Sequence, residues 1–316
     1  MNTLHVKSKQ PKEIPDEWFK PLDQKALDAE AVVRPSRTYW QDSWQMLRQN
    51  KLAMAGLVFL SFLVIMAIIG PSLSPNPIEK QSIMNQNMPP SSEYWFGTDD
   101  LGRDVFARTW YGARVSLFVG IMAAMIDFFV GVIYGGVAGY KGGRTDHLMM
   151  RIIEVLYGLP YLLLVILLAV VMGPGLFTII IALSVTGWIG MARIVRGQVL
   201  QIKNYEFVLA SKTFGTKTRR IIRRNLLPNA MGPIIVQLTL TIPSAIFAEA
   251  FLSFLGLGIQ APHASWGGML NDALGVILSG YWWRLFFPAL FISMTMFAFN
   301  VVGDGLQDAL DPKLRR

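Results

Sequence analysis

The chain has 316 residues, of which 53% are hydrophobic and 16% charged, and its mean hydropathy is +0.40. A water-soluble domain carries about a quarter charged residues and interleaves its apolar side chains with polar ones; here the apolar residues fall in blocks. The formal charge of +8 admits an anionic membrane or a nucleic acid as partner, and the absence of cysteine excludes disulfides, thiolate catalysis and cysteine-held metals.

Residues 1–51 are polar and mixed in charge, with no early apolar core and no small-residue cleavage ending, so no cleaved signal peptide is expected. The tail carries Trp18, Phe19, Trp40 and Trp44. The last two, four residues apart, predict a helix lying on the inner membrane surface. Six apolar blocks follow, at about 52–70, 116–138, 152–172, 176–191, 232–255 and 285–302. Each approaches the roughly 20 apolar residues that cross a bilayer as a helix, which predicts an all-α integral membrane protein with six transmembrane helices. The first block is expected to act as an uncleaved anchor.

Gly173-Pro174-Gly175 separates the third and fourth blocks and predicts a tight reversal, because proline cannot continue a helix and glycine adopts the backbone angles of a helix end. Pro160 and Pro243 are expected to bend their spans. Gly131, Gly135 and Gly139 recur every four residues along the second span, the small-residue pattern that lets helices approach closely.

Lys and Arg residues orient the chain. The tail to residue 51, the 139–151 link, the 192–231 loop and the C-terminal end hold 24 of the 29 basic residues. With six spans these segments share one side, which the positive-inside rule makes the cytoplasm. The expected organisation is a cytoplasmic tail (1–51), a six-span domain (52–303) with an external loop (71–114) and a cytoplasmic loop (192–231), and a cytoplasmic C-terminal tail (304–316). Both termini are predicted inside.

Three acids fall in or at the ends of spans: Asp127, Glu154 and Glu249. A charge at mid-bilayer costs about 2.5–3.5 kcal/mol on insertion scales, so such groups face protein or water. Glu154, beside Arg151, reads as interfacial. Asp127 and Glu249 lie deeper and either line a polar route or bond neighbouring helices. His5, His147 and His263 are scattered and predict no metal site; no Gly-x-x-x-x-Gly-Lys-Ser/Thr stretch is present, so this chain holds no phosphate-binding loop of its own. The basic run 217–224 sits between two spans, which argues against nucleic acid.

The 192–231 loop is too long for a simple connector. It places Tyr205, Val208 and Leu209, then Ile221, Ile222 and Leu226, at helical spacing, with Ala210 and Ser211 between them, Gly215 after them and Leu227-Pro228 before the fifth span. A short helix with a small-residue face suits close approach to a cytoplasmic partner, with Gly215 allowing a sharp exit and Pro228 ending the next helix. A basic interfacial helix on lipid phosphates is the other reading. Composition leaves both open.

The stretch Glu206-Phe-Val-Leu-Ala-Ser-Lys-Thr-Phe-Gly215, followed by Leu227-Pro228, resembles the loop shared by permease subunits of bacterial ABC importers, Glu-Ala-Ala, three residues, Gly, nine residues, Ile, one residue, Leu-Pro. Ala210, Gly215, Leu227 and Pro228 are in register, whereas Leu209, Ser211 and Asn225 depart from it. The strings Asn50-Lys-Leu-Ala-Met-Ala-Gly56, Phe96-Gly-Thr-Asp-Asp-Leu-Gly-Arg-Asp104 through Gly112-Ala-Arg-Val-Ser116, Ala248-Glu-Ala-Phe-Leu-Ser-Phe-Leu-Gly-Leu-Gly258, Ser265-Trp-Gly267 and Gly303-Asp-Gly-Leu-Gln-Asp-Ala-Leu-Asp-Pro312 are similar to C-type subunits of dipeptide and oligopeptide permeases, and most to the oligopeptide ones.

The resemblance implies a type I ABC importer fold and a non-enzymatic role in oligopeptide import, with dipeptides or nickel as alternative cargo. A coupling helix near 205–216 would then seat in an ATPase subunit, with Tyr205, Glu206, Val208, Leu209, Ala210, Ser211, Gly215 and Pro228 as the coupling residues. Implied partners are a B-type permease subunit, two ABC ATPases that hold ATP and Mg, an extracytoplasmic peptide-binding lipoprotein, the peptide and the plasma-membrane lipid. This chain would bind no cofactor. A proton-coupled carrier working through Asp127 and Glu249 is the rival transport reading. An intramembrane enzyme is disfavoured, because no nucleophile–base pair is evident.

Overall fold

A computed structural model describes residues 38–260 and 263–310. Trp18, Phe19, His5 and the basic C-terminal end after Leu310 lie outside the described residues. The elements are helices α1 (Tyr39–Gln49), α2 (Lys51–Leu73), α3 (Val105–Lys141), α4 (Gly143–Tyr157), α5 (Tyr161–Met172), α6 (Leu176–Ile202), α7 (Glu206–Thr213), α8 (Thr218–Ile221), α9 (Leu227–Phe254), α10 (Trp266–Leu274) and α11 (Trp283–Leu310). Three of these have bounds set by side-chain caps: Asn50 accepts from the Ala53 amide at 3.1 Å, Asp104 from the Phe106 amide at 2.8 Å, and Ser265 from the Gly268 amide at 3.2 Å. Each satisfies an amide that the first helical turn leaves without a partner.

Five helical stretches are long and apolar enough to cross a bilayer, and α4 with α5, bent 78° apart at the break, are so together if the pair is taken as one span. That break is where Pro160 precedes α5. Pro243 leaves α9 unbroken, as does Pro233.

Close approaches fix the relative directions of the long helices. On α3, the Cβ positions of Gly131, Gly135 and Gly139 point at Met191, Ala192 and Arg196 in turn, so α3 and α6 run parallel. A chain leaving the end of α3 must therefore return once before α6 begins, and the bent pair α4–α5 makes that crossing. Gly120 of α3 meets Ile246 and Ser116 meets Glu249, while Val132 packs with Ala230 and Ile234, which makes α9 antiparallel to α3. Gly56 of α2 meets Ala298 and Val302 of α11, and Gly305 meets Ala53. Six crossings result. The described chain therefore starts and ends at the same end of the bundle, where Leu47, Ala53 and Ala309 share one apolar cluster.

Several helices outrun their apolar blocks. Helix α3 begins at Val105, so 105–114, expected in the external loop, is helical; Phe106, Trp110 and Ala113 pack inward there, while Arg108 hides the segment from a hydropathy reading. Helix α6 runs on to Ile202, carrying 192–202 out of the expected loop, because Val195, Val199 and Ile202 prolong its buried face. Arg196 on that extension pairs both nitrogens of its guanidinium edge with Asp146 of α4 at 2.6 Å. Helix α11 likewise continues into the expected tail, as far as Leu310.

The end opposite the basic residues is capped by the 74–104 loop, α10 and the start of α11. Gly102, at φ 69°, turns so close to Ser82 that a Cβ would lie 1.9 Å from its carbonyl oxygen, which explains the glycine of the Asp-Leu-Gly-Arg string. Arg103 pairs with Asp99 at 2.6 Å, and Arg284 reaches Asp100 at 3.1 Å and Asn87 at 2.9 Å. Burial holds the Asp272 carboxyl above the usual carboxylate range, and the Arg108 charge offsets only part of that rise.

Candidate functional site

The basic end presents α7 between α6 and α8. Val208 is wholly buried in the cluster of Met191, Val195, Val199, Ile202, Ile221, Leu226 and Ile234. It anchors α7 from within and does not reach the outer surface, unlike its neighbours in the expected coupling set. Tyr205, Glu206, Phe207, Leu209, Ala210 and Phe214 are exposed, Phe214 to 85%. Two further ties hold the helix, Asn225 donating to Ser211 Oγ at 3.0 Å and Lys212 lying over the Tyr140 ring at 5.2 Å, and just before it Lys203 donates to Gly139 O at 2.9 Å. The first joins two of the three positions that depart from the family pattern, Ser211 and Asn225. Each was legible only as a departure.

Gly215 ends the helix at φ 70° with no atom within 4 Å of where a Cβ would sit, so backbone conformation and not crowding selects glycine there. Pro228 does not end a helix. It sits in the first turn of α9, where no amide is needed, and the π turn at Ile222–Leu226 carries the chain from α8 into α9 without a reversal.

The two deep acids have different surroundings. Glu249 is fully buried; its carboxylate accepts from Ser116 at 2.9 Å and from Ser253 at 2.8 Å, and the Trp266 amide donates to Ser116 at 3.3 Å. It thus ties α9 to α3 and to the start of α10. Asp127, at the centre of the 116–138 block, is 3% exposed, and its Oδ1 has no hydrogen-bond partner. It opens onto a cavity of about 340 Å³ with Tyr161, Thr186, Gly187, Gln237, Thr241 and Ser244. The structure does not bring the two acids together: the Ser116 level of Glu249 is eleven residues up α3, roughly 16 Å away. Glu154, read from the sequence as interfacial, is exposed and pairs with Arg151 at 2.9 Å. Among the described residues no cluster of His, Asp or Glu is placed to hold a metal ion.

Residues 131–316 match the family described as the binding-protein-dependent transport system inner membrane component, and residues 38–90 match the N-terminal TM domain of oligopeptide transport permease C. The chain is 74% identical over 304 residues to the dipeptide transport system permease protein DppC of Bacillus subtilis, covering 96% of this chain and 95% of that one. It is 57% identical over 303 residues to the oligopeptide transport system permease protein OppC of the same organism, covering 96% and 99%. It is also similar to a chain of the MetNI methionine ABC transporter in inward-facing conformations, with a TM-score of 0.50 and 18% identity, covering 62% of this chain and 94% of that one; this likeness supports the fold alone. Proteins of this family are membrane subunits that work with others and leave ATP hydrolysis to a separate subunit. The chain belongs to the binding-protein-dependent transport system inner membrane components, as a C-type permease subunit of the dipeptide and oligopeptide ABC importers.

Proposed function

We propose that this chain is one permease half of a bacterial importer of short peptides, with α7 as the element on which an ATPase subunit seats. The relatives' names support peptide cargo, dipeptides as much as oligopeptides, since identity is higher to the protein named for dipeptides. A homologous B-type permease completes the path, two ABC ATPases hold ATP and Mg, and an extracytoplasmic lipoprotein delivers peptide. The end bearing Lys51, Lys141, Arg193 and Lys217 is cytoplasmic.

The observation that carries the reading is the outer face of α7. Phe207, Leu209, Ala210 and Phe214 are exposed beyond the apolar crossing while Val208 anchors the same helix inward. Apolar side chains grouped on a solvent-facing helix mark an interaction surface, and α7 leads through α8 directly into α9. A push on α7 therefore moves a transmembrane helix. The motor biases two conformations only if its ATP-bound and ATP-free forms prefer different ones.

Phe214→Asp tests the seat. Recovery of ATPase subunits with the affinity-purified permease pair is expected to fall about tenfold, corresponding to ~1.4 kcal/mol, with membrane insertion unchanged. Full recovery of the ATPases overturns the docking assignment.

A further inference from the structure

We infer that the pocket beside Asp127 binds the terminal ammonium group of a peptide in transit. The inference rests on the import function proposed above and adds to it a ligand chemistry and a polarity.

The two deep acids of this chain are built differently. Glu249 has a serine donor on each carboxylate oxygen and is fully buried. Asp127 has neither a donor nor a cation among the described residues, although it is more than nine-tenths buried. A second buried group on the same cavity, Tyr161 OH, also lacks a partner. Buried polar atoms are nearly always hydrogen-bonded, and leaving one unpaired costs of the order of 1–3 kcal/mol. A carboxylate with an unpaired oxygen on the lining of an open cavity is therefore a site awaiting a donor.

The cavity is shaped around that carboxylate. Gly187 faces Asp127, and a Cβ at residue 187 would lie 2.2 Å from a carboxylate oxygen, so glycine there gives the side chain its room. Gln237, Thr241 and Ser244, spaced four and three residues apart on α9, supply a polar wall across from it. A volume of about 340 Å³ lies at the small end of the range for ligand pockets, enough for one or two residues and too small for a longer peptide lying flat.

The cargo's chemistry selects the ligand. Peptide side chains vary in charge, so a fixed anion would discriminate among them. Every unmodified peptide has one cation in common, its α-ammonium. A carboxylate that reads this group is tolerant of sequence, and it repels the carboxylate at the other end. Charge-assisted hydrogen bonds to a carboxylate are among the strong ones, and a low-dielectric surround strengthens them further.

The test uses the complete transporter in vesicles. The chain has no cysteine, so Ser244→Cys creates a single reactive site in it at the mouth of the pocket, with the unsubstituted complex as background. Two versions of one short peptide are compared, both with a free amino terminus. One carries a haloacetyl group on the side chain of the first residue, the other on the last. Labelling from the first residue is expected to be about tenfold faster, and Asp127→Asn is expected to abolish that preference while Asp127→Glu retains it. Equal labelling from both ends, a preference unchanged by Asp127→Asn, or no labelling from either end overturns the inference. Uptake of the unmodified peptide is followed in parallel. Uptake without an end preference removes this site and leaves peptide import standing, whereas no uptake by the unsubstituted complex removes both.

Discussion

Asn225 donates a 3.0 Å hydrogen bond to the hydroxyl of Ser211, fourteen residues earlier in the chain. Both residues are half-buried. They bridge α7 to the π turn that feeds α9, replacing with a polar contact what an alanine and an isoleucine would supply by packing.

A double-substitution cycle follows from that contact. Ser211→Ala alone leaves the Asn225 amide short of an acceptor, and Asn225→Ile alone leaves the hydroxyl short of a donor. Each single change is expected to lower the apparent melting temperature and the peptide-dependent ATPase rate of the assembled transporter. The double variant, which restores the apolar pair, is expected to recover most of both. A coupling energy of about 1 kcal/mol, measured by thermal unfolding in detergent, is the expected outcome; strictly additive losses would show that the bond contributes nothing.

The α3–α6 crossing can be tested with two adjacent glycines. A Cβ on Gly135 would lie 2.2 Å from the Ala192 carbonyl oxygen, a backbone atom that cannot swing away. On Gly136 the nearest atom would be 3.6 Å away, an ordinary contact. Gly135→Val is expected to push the helices apart and cut the yield of folded protein severalfold. Gly136→Ala is expected to be neutral or slightly stabilising, because alanine restricts the unfolded chain. Size-exclusion profiles and melting temperatures of the two variants check this. Equal behaviour would mean that the parallel crossing is looser than these distances require.

Orientation is open to direct labelling. Met84 is 95% exposed in the 74–104 loop and Phe214 is 85% exposed beside α7. In this cysteine-free chain, Met84→Cys is expected to react with an impermeant maleimide on intact cells. Phe214→Cys is expected to react only after permeabilisation. The reverse pattern would invert the topology and place α7 out of reach of any ATPase.

The six crossings and the crowding of basic residues at one end were both legible in the amino-acid order. A bilayer demands long uninterrupted apolar runs, and the anchoring charges cluster just outside them. The reversal at Gly173-Pro174-Gly175 and the break before Pro160 were legible for a related reason, since both follow from backbone chemistry that is local. Where helices leave the lipid, that signal stops. The extensions of α3 back to Val105 and of α6 out to Ile202 carry Arg108, Arg193 and Arg196. For Arg108 and Arg196, only the partners Asp99, Asp272 and Asp146 make the charge compatible with packed helices.

Tertiary contact also decided what chemically similar residues do. Asp127 and Glu249 are each a single acid within an apolar stretch, and of Glu249's two serine donors only Ser253, four residues on, is near it in the chain. Ser116, which supplies the other, lies 133 residues away, while no donor of either kind reaches Asp127 Oδ1 among the described residues. Val208 and Leu209 are adjacent apolar residues in one short helix, yet one is sealed in the core and the other faces outward. Composition measures how much apolar surface a segment carries. Which side of it is covered depends on the neighbours that long-range folding brings against it.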